Sequence, residues 1–306
     1  MAITYNTVEM DQNGHELAHH GTAQLPAAFY YDDLKEAYVP WHWHEELEAI
    51  VIPAGGGLLA GDTEKYVVRT GEGFFANSGV LHAAWNRGEE HCRFHSVVFH
   101  PRLVGAGLDS IFWQKYVQPV CTNPGLRSLH LDGSEPWHRA ALDCIEAAWQ
   151  AGANEEPGYE FRLRSALSEL IYILYCNMPP AVQRPSEREG QMAERIKLML
   201  QYIQEHYAEP VTVAQIAGAA MVSESECLRC FRTVIGTPPI RYLKQLRLQR
   251  AAELLRTTDE KVAVIGAECG FQDASYFIRT FRAGESCTPA EYREAQRIKQ
   301  TEKSHK

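Results

Sequence analysis

The 306-residue sequence predicts a two-domain α+β chain: an N-terminal antiparallel β-barrel or sandwich with a helical pair, then an all-α domain. Three observations predict it. Residues 29–100 break into short apolar segments with turn signals between them. A proline-rich stretch follows at 178–191, and the last third writes one helical pattern twice. In that repeat Ala217, Ser225, Arg229, Phe231, Arg232, Pro239 and Tyr242 recur fifty residues on as Ala267, Ser275, Arg279, Phe281, Arg282, Pro289 and Tyr292. A fixed period marks a duplicated supersecondary unit.

The turn signals are Gly55-Gly56-Gly57, Gly61-Asp62, Thr70-Gly71-Glu72-Gly73, Asn77-Ser78-Gly79 and Asn86-Arg87-Gly88. Their close spacing leaves no room for intervening helices and so predicts antiparallel strands. Two helices follow, Trp137–Gln150 and Tyr159–Asn177. In the second, Phe161, Leu163, Ala166, Leu167, Leu170, Ile171 and Leu174 recur at helical spacing. So wide an apolar face needs a partner, the barrel or a second subunit, and a homodimer through residues 137–177 is expected. Three prolines, a glycine and alternating charges between Met178 and Gln191 can neither bury apolar surface nor continue a helix. The expected domains are therefore 1–178 and 192–306, with a linker at 179–191.

Composition narrows the class. An apolar content of 45% and a charged content of 23% are those of an ordinary globular chain. No run of eighteen apolar residues occurs, and Met1–Gly14 has neither the basic flank nor the apolar core of a signal peptide. A cytoplasmic protein with no membrane partner is expected. Eight scattered cysteines do not make a disulfide scaffold, and Cys227-x-x-Cys230 has no second pair nearby, so it is expected to pack inside a helix. The net charge of −9 is unevenly spread: residues 192–306 hold 17 Lys+Arg against 14 Asp+Glu, whereas residues 1–191 hold 13 against 25. Basic charge is concentrated in the repeat, as expected if that part alone meets phosphates.

Each repeat unit reads as helix, tight turn, helix. In the first, Val213–Ala220 precedes the turn Met221-Val222-Ser223, with Ser223 as N-cap of Glu224–Ile235. Cys227, Cys230, Phe231 and Val234 form the inward stripe, leaving Glu224, Ser225, Leu228, Arg229 and Arg232 outside. In the second, Val262–Cys269, a turn at Gly270 and an N-cap at Asp273 lead to a helix with Tyr276, Phe277, Thr280 and Phe281 inside. Ala274, Ser275, Ile278, Arg279 and Arg282 stay outside. An amphipathic helix, Ile240–Leu255, joins the units. This is the layout of paired helix-turn-helix elements that enter DNA grooves. On such a helix Arg229 and Arg279 can donate bidentately to guanine O6/N7 or to phosphate oxygens.

The run from Leu254 to Phe281, followed by Thr288-Pro289-Ala290-Glu291-Tyr292-Arg293, resembles the signature of the AraC/XylS transcription regulators over residues 192–296. The resemblance implies two helix-turn-helix units bridged by a long helix and docked in successive major grooves. It also implies double-stranded DNA as partner, with RNA polymerase a further one. Carried over by position, the contacts fall on Ser225, Leu228 and Arg229 and on Ala274, Ser275 and Arg279, with Arg232 and Arg282 beside them. Gly266 departs from a position usually held by alanine, which softens a helix by roughly 1 kcal/mol, and Ser286 from one usually held by glycine.

Nine of the thirteen histidines fall in the first hundred residues, which directs attention to a site there. His42-x-His44-x3-Glu48-x6-Gly55 and Gly71-x7-Gly79-x2-His82-x3-Asn86 resemble the two motifs of cupin barrels, in which three imidazoles and a carboxylate converge on a metal. Alternation along one strand is expected to put His42, His44 and Glu48 on a common face, with Trp41, Trp43 and Leu47 opposite. Such donors suit divalent Zn, Ni, Fe or Mn. Glu36 and Asn77 depart from the motifs, where glycine and proline are usual. The same polar groups can instead line a small-molecule pocket without metal, as in many AraC-type regulators. Trp41, Trp43, Trp85 and His95 are further pocket candidates. His15, His19 and His20 fall in a polar N-terminal arm, expected to be untethered or to cover the pocket.

The expectation is thus a non-enzymatic, sequence-specific DNA-binding regulator whose cupin-like domain senses a small molecule such as a sugar or related metabolite. No catalytic residue is expected. The alternatives are a metal-dependent cupin enzyme of isomerase or dioxygenase type, and a metal-responsive regulator.

Overall fold

A computed structural model of the chain describes residues 20–34, 38–62, 64–86, 91–180, 187–285 and 287–304. It divides at Glu194/Arg195 into two units. The first holds strands β1 (Ala27–Asp33), β2 (Val39–His42), β3 (Leu47–Gly61), β4 (Glu64–Arg69), β5 (Gly73–Ala76), β6 (His82–Asn86), β7 (Cys92–Phe99) and β8 (Ser128–Leu131). All pairings are antiparallel. The order β1-β7-β3-β5-β8 forms one layer, and the far half of β3 turns away to pair with β4 and β6, which in turn pairs with β2. The long β3 strand can serve both groups because its register with β7 shifts between Val51 and Ala54, a bulge that bends a strand and increases its twist.

Period-two alternation then assigns each side of the sheet. Ile50, Ile52, Phe74 and Phe94 pack with Leu59 and Ala84 inside the curved sheet. Their neighbours Ala49, Val51, Phe75, Val97 and Phe99 pack outward against two helices. The short α1 (Arg102–Gly105) and α2 (Gln118–Cys121) lead to these helices, α3 (Pro136–Asn154) and α4 (Tyr159–Asn177). In α4 the stripe Leu163, Leu167, Leu170, Ile171 and Leu174 is buried as predicted, but Phe161 is 82% exposed. Two residues from Leu163 is about 200° around a helix, so Phe161 belongs to the opposite face.

The second unit is all helix: the body of α5 (Glu187–His206), then α6 (Val213–Ala219), α7 (Glu224–Cys230), α8 (Pro239–Thr257), α9 (Val262–Glu268), α10 (Ala274–Glu285) and α11 (Pro289–Ser304). Residues 187–191, assigned above to the linker, are the first turns of α5. Pro185 is the last helix breaker in that stretch, and the glycine at 190 costs a helix only about 1 kcal/mol, too little to stop it. Residues 181–186 lie outside the described residues.

The duplication is real but not strictly fifty residues long. Buried Ile216, Ala217 and Ala220 correspond to buried Ile265, Gly266 and Cys269, an offset of forty-nine, whereas α7 and α10 begin fifty residues apart. The left-handed turn residues agree, Met221 at φ 52° and Gly270 at φ 81°. The second turn is therefore one residue longer, and the structural partner of Ala217 is Gly266 rather than the exposed Ala267. A Cβ on Gly266 would come within 2.7 Å of the Phe277 ring. The departure at this position thus lets α9 and α10 approach closely.

Candidate DNA-reading surface and candidate metal centre

α7 and α10 are oriented by their inward stripes. Cys227, Cys230, Phe231 and Val234 are fully buried, as are Phe277 and Phe281. Their starts are capped as predicted: Ser223 Oγ accepts the Glu226 amide at 3.2 Å, and Asp273 Oδ1 accepts the Tyr276 amide at 2.6 Å. Each cap satisfies one orphan donor of a helix start. The residues left outside are Ser225, Leu228, Arg229 and Arg232 on α7 and the helical turn after it, and Ala274, Ser275, Arg279 and Arg282 on α10, all of them exposed. Tyr276 corrects the reading above. It is 47% exposed instead of interior, because Phe271 and Phe277 already fill that layer at 5.0 Å between ring centres. Thr280 is half-buried.

One residue of this face was missed. Glu226 receives Arg229 Nε at 2.8 Å and Nη2 at 2.6 Å, and also Arg195 Nη1 at 3.1 Å. The Arg229 hydrogen bonds hold its carboxyl below the usual range. The i, i+3 spacing of Glu226 and Arg229 was the available signal.

In the first unit His42, His44, Glu48 and His82 come together, each buried and each with a donor atom within 4.8 Å of the others. The route differs from the single strand expected. β2 ends at His42, the chain bends at residues 45–46, and Glu48 enters on β3. His42 lies directly opposite His82 across the β2/β6 ladder. Glu48 Oε2 is 2.7 Å from His82 Nε2 and 3.5 Å from His44 Nε2. The Nδ1 atoms of His42, His44 and His82 face the carbonyl oxygens of Pro40, Glu46 and Val80 at 2.8, 3.2 and 2.7 Å. A carbonyl only accepts, so each Nδ1 carries the proton and each Nε2 keeps its lone pair.

Ser96, fully buried, donates to Glu48 Oε1 at 2.5 Å, which leaves Oε2 for the centre. Burial lowers the pKa of His44, keeping it neutral. Burial also pushes the Glu48 carboxyl upward, but the His44 and His82 imidazoles beside its Oε2 outweigh it and hold the group well below its usual range.

Neutral imidazoles with oriented Nε2 atoms and an anionic carboxylate are the donors a first-row divalent ion takes. Bonds of about 2.0–2.1 Å place two donors of one tetrahedral ion roughly 3.4 Å apart. The residues fit, and His42, His44, Glu48 and His82 would hold the ion. Bound there with its coordination expanded beyond the four protein donors, it would supply a Lewis-acidic site for an oxygen or nitrogen ligand.

The aromatic candidates fall elsewhere. Trp41 and Trp85 meet edge to face at 5.5 Å, and alternation puts them on the other side of the strands from His42 and His82. Trp43 is half-buried. His95 is a correction: Ser96 and Phe94 point inward, so His95 points to α3, stacking on Trp149 at 3.6 Å and meeting Glu146 at 2.8 Å. Of the two readings of the arm, His20 follows the one that covers the site: it is buried against the centre, 2.9 Å from the Tyr30 hydroxyl and 4.9 Å from the His44 ring, and is not untethered. His15, His19, Glu36 and Ser286 lie outside the described residues. Asn77 replaces a proline with a purpose: its amide donates to Val120 O at 2.8 Å and Leu126 O at 2.7 Å.

Residues 27–171 match the family described as AraC-like ligand binding domain, and residues 216–295 a helix-turn-helix domain. An uncharacterized HTH-type transcriptional regulator, YdeC of Bacillus subtilis, is 32% identical across 93% of this chain and 97% of its own. The chain belongs to the AraC family. As an AraC-type DNA-binding transcription regulator it joins a ligand-binding sheet domain to a helical reading domain. The HTH-type transcriptional activator RhaS of Escherichia coli is 26% identical over 85% of this chain and 90% of its own. A solved AraC-type regulator from Chromobacterium violaceum is 31% identical, covering 33% of this chain and 91% of its own, with a TM-score of 0.33. These relatives are named as regulators. Among the described residues no helix is long and apolar enough to cross a membrane.

Proposed function

We propose that this AraC-type regulator reads two adjacent major-groove segments with α7 and α10, and takes its signal at the His42/His44/Glu48/His82 centre. Ser225, Leu228, Arg229 and Arg232 face the first segment; Ala274, Ser275, Arg279 and Arg282 face the second. The signal is a divalent first-row metal, alone or with a small-molecule ligand bound to it. One observation carries this reading: three imidazoles spend their Nδ1 protons on backbone carbonyls and so turn their Nε2 atoms toward one ionised carboxylate. A pocket that merely satisfied its own polar groups has no need of that common tautomer.

The protein acts in the cytoplasm as a homodimer joined through α3 and α4, and contacts RNA polymerase from promoter DNA. It performs no catalysis of its own. The metal regulates by binding one arrangement of the chain more tightly than another. Metal analysis of the purified full-length protein, with DNA binding measured with and without a chelator, tests the proposal. Stoichiometric metal and a chelator-dependent change in affinity support it. DNA binding that is intact and indifferent to Zn, Ni, Fe and Mn sinks the metal reading and leaves the small-molecule one.

A further inference from the structure

The reading face of α7 carries an arrangement that α10 lacks. Ser223-x-x-Glu226 has the sequence of a capping box, in which the glutamate normally folds back to the N-cap amide. Here only half of that box forms: Ser223 accepts the Glu226 amide, while the carboxylate reaches forward to Arg229. Arg229 binds it side-on, Nε to Oε2 at 2.8 Å and Nη2 to Oε1 at 2.6 Å. Arg195, on α5, donates to the same Oε1 at 3.1 Å.

A guanidinium is planar and carries five N–H donors. The side-on pair consumes Nε–H and one Nη2–H. The end-on pair, one N–H from each Nη, stays parallel and points away from the carboxylate, on a side chain that is 55% exposed. Two parallel donors match the O6/N7 edge of guanine. An exposed i, i+3 ion pair contributes little to stability. Its consequence is orientation: a long side chain already held in its binding rotamer loses less freedom on contact. The carboxylate does not repel the duplex outright, because Arg195 and Arg229 leave the cluster with a net positive charge. Three residues before Arg279 stands Tyr276, which offers no carboxylate.

We propose that Glu226 is a positioning residue that, with Arg195, presents Arg229 end-on to one guanine of the first groove segment, making that unit the stricter reader. The inference rests on the groove assignment of α7 and adds the base, the mode of contact and the residue that sets it.

Selection from a randomised duplex library with the full-length protein tests it, using wild type, Arg229→Ala, Glu226→Gln and Glu226→Ala, each first shown to be folded by circular dichroism. Wild type is expected to select one strongly preferred guanine within the first segment. Arg229→Ala loses that preference without lowering the salt slope of binding. Both Glu226 variants lose about tenfold in discrimination at the same position, within the range of one bidentate base contact, and bind unselected duplex as well as wild type or better.

Glu226 variants that keep the full preference for guanine overturn the proposal while the groove assignment stands. A salt slope reduced by about one unit in Arg229→Ala marks a phosphate contact and overturns it in the same way. Arg229→Ala selecting the same sequences as wild type overturns the groove assignment and this inference together.

Discussion

A single side chain on this protein is governed by which face of its element it occupies. Arg229 and Arg279 stand outside two well-packed helices, and Arg229→Ala and Arg279→Ala are each expected to cost about 1–3 kcal/mol at a specific site in gel-shift titrations. Unchanged affinity in both would remove α7 and α10 from the groove. Inside α7 burial pushes the Cys227 thiol up to about 11 and raises Cys230 as well, and at the end of α9 it pushes the Cys269 thiol up to about 12. These thiols are expected to resist a thiol-specific chromogenic reagent at pH 8 until the chain unfolds, while exposed Cys176 reacts at once.

The buried centre also sets a pH response. Below about pH 6.5 the unfolded chain takes up protons that His44 refuses in the fold, so stability falls as pH is lowered. Glu48, held anionic in the fold, adds a second loss below about pH 4.3. Urea midpoints at pH 7 and pH 5 should show the first loss; an unchanged midpoint refutes it.

At the scale of an element, caps and alternation were legible and turn length was not. Ser223 and Asp273 cap α7 and α10 as their residue types predict, and Ser223→Ala is expected to destabilise the second unit by about 1 kcal/mol in denaturant unfolding. Thr212 and Gln215 add a full capping box at α6 that the sequence reading passed over. The Ala217/Ala267 match was misleading, since both residues are alanine but only one is buried. One residue in a turn shifts a whole helix by 100°, so burial, not identity, reveals the register. His95 was misplaced for a related reason. It is one residue from Ser96, and a strand turns neighbours to opposite sides. Gly266→Ala sets a gain of roughly 1 kcal/mol in helix propensity against displacement of Phe277. A net loss of stability is the expected result, read from the thermal midpoint.

Over the whole molecule, metal occupancy should appear as stability. An ion present at a hundred times its dissociation constant stabilises the folded chain by about 2.7 kcal/mol, so full-length protein should melt higher in Ni or Zn than in chelator, and His82→Ala should abolish the shift. Light scattering on the same protein tests the dimer; a monomer at high micromolar concentration would refute it. The two-domain division, the barrel strands, the helical pair, the family and the grouping of His42, His44, Glu48 and His82 were legible in the sequence. Each rests on local period, turn chemistry or motif spacing, which neighbouring residues settle among themselves. Tertiary structure alone decided that His20 packs on the centre, that Ser96 holds one oxygen of Glu48, that Arg195 reaches Glu226 from α5, and that the second turn is longer by a residue. Those features join residues across strands or across helix faces. Their partners are chosen by packing and by the need to satisfy buried polar groups, and no one-dimensional spacing records that choice.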